Sequence, residues 1–214
     1  MINKISPPPK FLIDRYKKWK SNEYLRNEVK LRNLASYGQS PSTMVISCCD
    51  SRIHVTSIFG SDEGEFFIHR NIANLVPPYS PDGENHGTSA AIEYAIKELK
   101  VQHIIILGHK DCGGIKYGHS MHSSSINTNY EFINKWVSIL LPAYKKIQKN
   151  VSTQEQINQF EQESIRASIN NLFSFPFIKK AIDENNISIH GLIHDIGSGN
   201  LMFLNPVTEN FENF

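Results

Sequence analysis

The sequence predicts an α/β fold in which a mostly parallel central sheet is flanked by helices, with an N-terminal helical arm and a C-terminal β-hairpin. Short, almost wholly apolar segments of the kind buried in parallel sheets recur along the chain. Segments with apolar residues at helical spacing alternate with them, which is the order typical of α/β proteins. The chain has 214 residues, of which 40% are hydrophobic, so it is long enough to bury one sizeable core.

The N-terminal segment predicts a helical arm. SPPPK at 6–10 is a stiff, extended lead-in, and residues 11–34 are rich in charge with apolar residues at roughly helical spacing. Asn22 and Glu23 interrupt the pattern, so we expect one or two amphipathic helices. Such a segment either packs on its own domain or embraces a second subunit, and the pattern leaves both possibilities open.

The remaining elements follow in order along the chain. The predicted strands are TMVISC (43–48), EFFIHR (65–70) and VQHIIILG (101–108), with a hairpin across GSGN at 187–205. One predicted helix begins at Thr88, and DCGGIKYG is a turn into the start of another. Three more are predicted at 131–149, with a break at Pro142, at 154–174, and over FPFIKKAIDEN. Polar segments at 77–87 and 120–129 predict loops.

Composition excludes several classes of function. The net charge of +1 gives no electrostatic basis for binding nucleic acid or an anionic membrane surface. HIIILG (103–108), typical of the longest strongly apolar runs, is far too short to span a bilayer, and the N-terminus has no apolar signal region. The three cysteines cannot all pair within one chain, so a disulfide framework is not expected. We therefore expect a cytoplasmic protein.

Four residues with metal-binding side chains lie where two predicted strands end. Cys48 and Cys49 end the first strand, and His109 and Cys112 come just after the strand at 101–108. In open α/β sheets, ligands bind beyond the carboxyl ends of the strands. Two thiolates and one imidazole suit tetrahedral Zn²⁺, and three protein ligands leave a fourth position for water. Because side chains alternate along a strand, only one of the two adjacent cysteines can face that ion. Core packing or redox chemistry of the thiols is the alternative.

Asp50 and Arg52 lie within the same short segment as the adjacent cysteines. Near an open metal position, a carboxylate can bind the metal, accept a proton from bound water, or pair with the arginine. A surface ion pair of little energetic value is the simpler interpretation.

Two motifs together resemble the zinc site of the β-class carbonic anhydrases: CxDSR at 48–52 and HxxCGG at 109–114. The flanking sequence is similar too, in HRNIANLV (69–76), SAAIEYAI (89–96), GHKDCGGIK (108–116) and ISIHGLIHDIGSGNL (187–201). The resemblance is dense over residues 35–118 and looser towards both ends. It implies zinc-dependent, reversible hydration of carbon dioxide to bicarbonate and a proton, through hydroxide bound to the metal.

The resemblance also implies roles for individual residues. Zn²⁺ would be bound by Cys48, His109 and Cys112, while Cys49 occupies a variable position and packs as a small apolar group. Arg52 would hold Asp50 away from the metal so that water can bind, and Asp50 would replace that water in an inactive form.

The substrate-binding residues implied by the resemblance are those of the plant-like, open-site group. Gln39, nine residues before Cys48, would reach across a dimer interface. Phe67, Ile72 and Tyr94 would line the carbon dioxide pocket, and the backbone N–H of Gly113 would bind the product.

A second group of relatives has an inhibitory bicarbonate pocket formed by a Trp, a Tyr and an Arg. Here Val45 and His194 stand where the Trp and Tyr are expected, and only Arg70 remains. We therefore expect the open-site type without that bicarbonate switch.

The implied mechanism also requires a second subunit. Residues 1–34 would form the arm for dimerisation and residues 35–214 the α/β zinc-binding catalytic domain, in a homodimer or a dimer-based higher oligomer. Two other functions compete: a hydrolase for carbonyl sulfide or carbon disulfide on the same scaffold, and a non-catalytic zinc-binding protein. Gln39, Phe67 and Tyr94 favour carbon dioxide, and a non-catalytic protein has no need of Asp50, Arg52 and Gln39 together.

Overall fold

The computed structural model of the chain describes residues 5–124, 126 and 128–214. Residues 1–4 of the predicted arm, and Ser125 and Asn127 of the predicted loop at 120–129, lie outside the described residues. The chain forms two compact units, one ending at Gln39 and the other spanning Ser40–Phe214. The predicted roles of residues 1–34 as a dimerisation arm and 35–214 as a catalytic domain stay predictions.

The first unit consists of two helices, α1 (Lys10–Ser21) and α2 (Glu23–Tyr37), neither of which contains a buried residue. Asn22 ends α1, because its backbone N–H donates to the Trp19 carbonyl at 3.2 Å and its side-chain amide donates to the Lys18 carbonyl at 3.0 Å. The predicted interruption at Asn22 therefore separates two helices.

A six-stranded sheet forms the centre of the second unit, with the order β2-β1-β3-β4-β5-β6. The strands are β1 (Thr43–Cys48), β2 (Phe66–Asn71), β3 (His103–His109), β4 (Ser188–His194), β5 (Leu201–Leu204) and β6 (Phe211–Asn213). β2, β1, β3 and β4 pair in parallel, whereas β5 and β6 are antiparallel to their neighbours. The mostly parallel sheet and the β4–β5 hairpin are as predicted. β6 was not predicted, since three residues are too few to show an alternating pattern.

Helices cover the sheet. They are α3 (Val55–Phe59), α4 (Gly87–Lys97), α5 (Gly113–His122), α6 (Ile133–Val137), α7 (Leu141–Tyr144), α8 (Thr153–Leu172) and α9 (Pro176–Asp183). The predicted helix at 131–149 is instead two short helices joined by a 3-10 turn, with Pro142 in the first turn of α7. None of the helices in the described part of the chain combines the length and hydropathy needed to cross a bilayer.

The alternation of side chains along the strands separates two apolar layers. Met44 and Ile46 pack with residues of α4, α8 and α9 in one cluster, whereas Val45 packs with Leu107 and Leu192 in another. All six residues of β1 are buried, as expected for a strand in the interior of a parallel sheet. This burial fixes the direction of Cys48, the last residue of β1, which shares the parity of Met44 and Ile46.

Helix α8 lies close against the sheet because two glycines face Ile165. A Cβ on Gly108 of β3 would lie 2.8 Å from Ile165 Cδ1, and a Cβ on Gly191 of β4 would lie 2.9 Å from Ile165 Cγ2. Neither distance is compatible with a real side chain, so these two glycines set the spacing between α8 and the strands.

We predict that Gly191→Ala lowers the free energy of unfolding by about 1–3 kcal/mol, since the added methyl overpacks the contact with Ile165, Ile169 and Leu204. Urea denaturation followed by circular dichroism measures the change. Gly87→Ala is the matched control, because a Cβ there meets nothing within 4 Å. Equal stability of the two variants would contradict the packing explanation.

Candidate metal centre

The sheet brings two strand ends together. β1 and β3 are neighbours and run in parallel, with Ser47 opposite Leu107, so Cys48 and His109 lie at the same carboxyl edge. The turn after His109 leads into α5, where Cys112 is the residue before the first helical turn. All three side chains are buried, with relative exposures of 4% or less.

These three residues form the cluster that the sequence predicted as a ligand set. Cys48 Sγ, a ring nitrogen of His109 and Cys112 Sγ all lie within 4.8 Å of one another. The two sulfur atoms are 3.8 Å apart. With Zn–S distances of about 2.3 Å and Zn–N distances of about 2.0–2.1 Å, a tetrahedral ion fits between atoms at this spacing.

The orientation of His109 matches that of a metal ligand. Nδ1 lies 2.9 Å from the Lys110 carbonyl and donates to it, so the lone pair is left on Nε2. Nε2 is buried and makes no hydrogen bond within the described part of the chain. A buried polar atom without a partner calls for an explanation, and a metal ion bound at Nε2 supplies one.

The pKa values of the two thiols are shifted in opposite directions. The hydrogen bond with Cys112 lowers the pKa of Cys48 to about 4, against the opposing effect of burial. The pKa of Cys112 is raised well above its ordinary value by the Cys48 sulfur and by burial. Because zinc binds thiolates, metal binding would require both sulfur atoms to be deprotonated and would release any proton held there.

The adjacent cysteine, Cys49, is exposed whereas Cys48 is buried. This contrast follows from the alternation of side chains at the end of β1. Of the two, only Cys48 belongs to the metal-binding cluster.

Asp50 and Arg52 form a bidentate ion pair beside the cluster. Arg52 Nε donates to Asp50 Oδ1 at 2.9 Å and Nη2 donates to Oδ2 at 2.7 Å. These hydrogen bonds hold the pKa of Asp50 well below its usual range, so the carboxylate stays ionised. Asp50 Oδ2 also lies 3.8 Å from His109 Nε2, which places the carboxylate next to the atom that lacks a hydrogen bond.

The Arg70 side chain donates hydrogen bonds to the backbone of the turn that carries Asp50 and Arg52, a role that the sequence did not indicate. Its Nε donates to the Cys48 carbonyl at 2.9 Å, and its Nη2 donates to the carbonyls of Asp50 and Ile53 at 2.7 and 2.9 Å. One guanidinium therefore satisfies three backbone acceptors of the turn that carries Asp50 and Arg52.

A second turn, Ile72–Asn74, packs against the start of α5. Ala73 and Asn74 have φ angles of 63° and 50°, a left-handed conformation that is unfavourable for residues other than glycine. A Cβ on Gly114 would lie 2.7 Å from Ile72 Cγ2 and 3.0 Å from Ala73 Cβ. Gly114 therefore lets the turn approach α5 beside the ligand cluster.

Two of the five predicted substrate-binding residues are in contact. Phe67 and Tyr94 contact each other, with ring centroids 5.9 Å apart. Ile72 lines a cavity of about 1280 Å³. Phe67 and Tyr94 are not among the described residues that line this cavity. Gly113 is the first residue of α5, and Gln39 is the last residue of the first unit. The roles of these five residues stay predictions.

The structure adds one buried charged residue that sequence reasoning missed. Glu161 in α8 is 2% exposed, and its Oε1 accepts the backbone N–H of Cys112 at 3.2 Å. Burial raises the pKa of this carboxyl to about 7, against the opposing effects of the Cys112 N–H and Lys110. The available sequence signal was weak, since one glutamate in a glutamate-rich helix does not reveal which face is buried.

Comparison with known proteins finds similarity over most of this chain. The family model described as Carbonic anhydrase matches residues 43–201. Beta carbonic anhydrase 3 of Arabidopsis thaliana is 36% identical over 184 residues, which cover 85% of this chain and 70% of that protein.

Solved structures of beta-carbonic anhydrases are similar as well. That of CcaA gives a TM-score of 0.85 at 27% identity and covers 96% of this chain and 91% of its own. One of two tetrameric enzymes from the filamentous ascomycete Sordaria macrospora gives 0.77 at 30% identity, over 91% of this chain and 95% of its own.

We predict that Cys48→Ser loses most of the bound zinc whereas Cys49→Ser keeps about one ion per chain. The hydroxyl of serine is a poor zinc ligand compared with a thiolate, and only Cys48 lies in the buried cluster. Zinc is quantified by atomic emission after dialysis of each purified variant. Equal zinc content in the two variants would remove Cys48 from the ligand set.

Proposed function

Because this chain belongs to the β-carbonic anhydrase family, we propose that it catalyses the zinc-dependent, reversible hydration of carbon dioxide to bicarbonate and a proton. Family membership supports the reaction. The observation that carries the zinc dependence is the buried cluster of Cys48, His109 and Cys112, with the Asp50–Arg52 ion pair directly beside it.

Zinc would be held by the two cysteine sulfur atoms and His109 Nε2. When bound, it supplies a Lewis acid that lowers the pKa of a water molecule in the fourth coordination position. The chain contributes the geometry: the Lys110 carbonyl orients the imidazole, and the backbone N–H groups of Gly114 and Ile115 stabilise the negative charge of Cys112.

Asp50 and Arg52 would control access to the open side of the cluster. Both oxygens of Asp50 are bonded to Arg52, which supports the proposal that Arg52 keeps the carboxylate from binding the metal itself. Asp50 Oδ2, held ionised next to His109, would then accept a hydrogen bond from a group on that side and orient it. A form in which Asp50 leaves Arg52 and occupies the metal position would be inactive.

The proposed substrate site combines an apolar pocket with few donors, because carbon dioxide carries no charge. Phe67, Ile72 and Tyr94 would supply the apolar surface, and the N–H of Gly113 and the Gln39 amide of a second subunit would bind the developing bicarbonate. Gly113 opens α5, so its N–H is one of the unpaired donors of a helix N-terminus, which favours an anion.

A homodimer or a dimer-based oligomer is part of the proposal. The exposed apolar residues of α1 and α2 favour a partner surface; they include Phe11, Leu12, Tyr16, Trp19, Leu25 and Val29. The Sordaria macrospora enzymes are described as tetrameric, which agrees with an oligomer built from dimers. A cytoplasmic location stays a prediction.

Hydrolysis of carbonyl sulfide or carbon disulfide remains the second candidate reaction, because it would use the same metal site. The decisive experiment is carbon dioxide hydration by stopped flow across a pH series, with zinc quantified in the same sample and carbonyl sulfide tested alongside. Background rates with one zinc ion per chain would favour a non-catalytic zinc protein.

We predict that Asp50→Asn and Arg52→Ala each lower turnover by about 10- to 100-fold, while zinc stays bound. Each substitution breaks the bidentate pair and leaves the three ligands intact. Arg52→Lys should also be impaired, because an ammonium group cannot reproduce the two parallel hydrogen bonds. Asp183→Asn, on the exposed end of α9, is the control. Normal turnover in both primary variants would refute the gate.

We predict that deletion of residues 1–34 gives monomers with little activity, because the arm would hold the dimer in which Gln39 reaches the neighbouring site. Light scattering and stopped-flow assays measure both properties. Gln39→Ala in the full chain should keep the oligomer and lose activity. A fully active monomer would contradict the proposed role of the arm.

A further inference from the structure

Glu161 lies in the middle of α8, where an apolar residue is expected. It is 2% exposed, and its Oε2 makes no hydrogen bond among the residues that the structure describes. A buried carboxylate is unfavourable unless other groups compensate its charge and satisfy its acceptors. The neighbouring helix positions are filled by Phe160 and Ile165, which are fully buried core residues. The proposed reaction, as described above, gives Glu161 no task.

The carboxylate faces the short loop that joins His109 to Cys112. Oε1 accepts the backbone N–H of Cys112 at 3.2 Å, and Oε2 lies 3.8 Å from Lys110 Nζ. Lys110 is itself fixed to the sheet, since its backbone N–H donates to the His194 carbonyl at 2.9 Å. Glu161 therefore contacts this loop at two points, from the protein interior.

Asp111, between the two candidate ligands, has a φ angle of 58°, in the left-handed region. Aspartate enters this region more readily than most residues other than glycine, and several contacts hold the loop in this conformation. On the solvent side, Arg52 Nη2 donates to the Asp111 carbonyl at 3.3 Å and Lys116 Nζ donates to Asp111 Oδ1 at 2.6 Å. Both of those hydrogen bonds are exposed to solvent, whereas the hydrogen bond from the Cys112 N–H to Glu161 is buried and is not screened by water.

We propose that Glu161 is a positioning residue for the metal centre: by accepting the backbone N–H of Cys112, it fixes the loop between His109 and Cys112 so that the Cys112 sulfur stays in place against Cys48 and His109. The proposal rests on the ligand set of the proposed function. Groups that orient metal ligands typically change metal affinity by about 10- to 100-fold when they are removed.

The test compares two substitutions of equal length. Glu161→Gln and Glu161→Met both remove the charge, but only glutamine can still accept the Cys112 N–H. Methionine fills a similar volume but leaves the buried Cys112 N–H without its acceptor, so Glu161→Met should be less stable than the wild type towards urea. Glu163→Gln and Glu163→Met are the matched controls, because Glu163 lies on the same helix and pairs with Arg166 and Lys146 instead.

Two measurements report on the metal centre independently of activity. The first is the rate of zinc release to an excess of a chromogenic chelator. The second is the visible spectrum of the cobalt-substituted protein, whose sulfur-to-metal and d–d bands depend on ligand geometry. We expect Glu161→Met to release zinc about 10- to 100-fold faster and to shift the cobalt bands, whereas Glu161→Gln and both controls resemble the wild type.

Each outcome decides the proposal. Wild-type-like release and spectra in Glu161→Met would overturn it, as would equal effects of glutamine and methionine, which would indicate charge rather than positioning. If Glu161→Met fails to fold, amide exchange in the wild-type protein decides: a Cys112 N–H that exchanges as fast as an exposed amide would overturn the proposal, and protection would support it. Wild-type protein that binds no zinc would instead refute the proposed function, so the two failures are distinguishable.

Discussion

The parallel pairing of β1 with β3 is the interaction on which the candidate site depends. It places the carboxyl ends of two buried strands side by side, so that Cys48 and His109, 61 positions apart in the sequence, meet at one edge of the sheet. Burial of β1 on both faces fixes its register, and a slip by one residue would turn Cys49 rather than Cys48 towards the cluster. The third ligand, Cys112, then needs only a short turn into α5 to join them.

The fold bears a cost for bringing these groups together. Two buried thiols lie 3.8 Å apart, His109 Nε2 lacks a hydrogen bond among the described residues, and Ala73 and Asp111 have left-handed backbone conformations. Metal binding would remove much of this cost, because His109 Nε2 would form a coordination bond and the thiols would bind the metal as thiolates. The metal and the folded state are therefore expected to stabilise each other.

Hydrogen bonds to backbone atoms provide the rigidity that the site needs. Arg70 satisfies three carbonyls under the Asp50–Arg52 turn, while Glu161 and Lys110 hold the loop between His109 and Cys112. Arg52 links the Asp50–Arg52 turn to this loop, since its guanidinium donates hydrogen bonds to Asp50 and to the Asp111 carbonyl. The ion pair proposed to control the open side of the metal is thus connected to the loop that carries a ligand.

The sequence by itself determined the fold class and the β1, β2, β3 and β4 strands, because buried apolar runs are local signals. Its short motifs, through their resemblance to a known family, predicted the three residues that the structure brings together in the cluster. Strand alternation predicted that only one of Cys48 and Cys49 faces the cluster, and the resemblance identified it as Cys48. Only the tertiary structure decided the rest. β6 and the break into α6 and α7 depend on packing rather than on pattern, and the backbone contacts of Arg70 and Glu161 join segments far apart in the chain. A side chain that binds the backbone of another residue leaves no motif in the sequence, because nearly every residue type offers the same backbone groups.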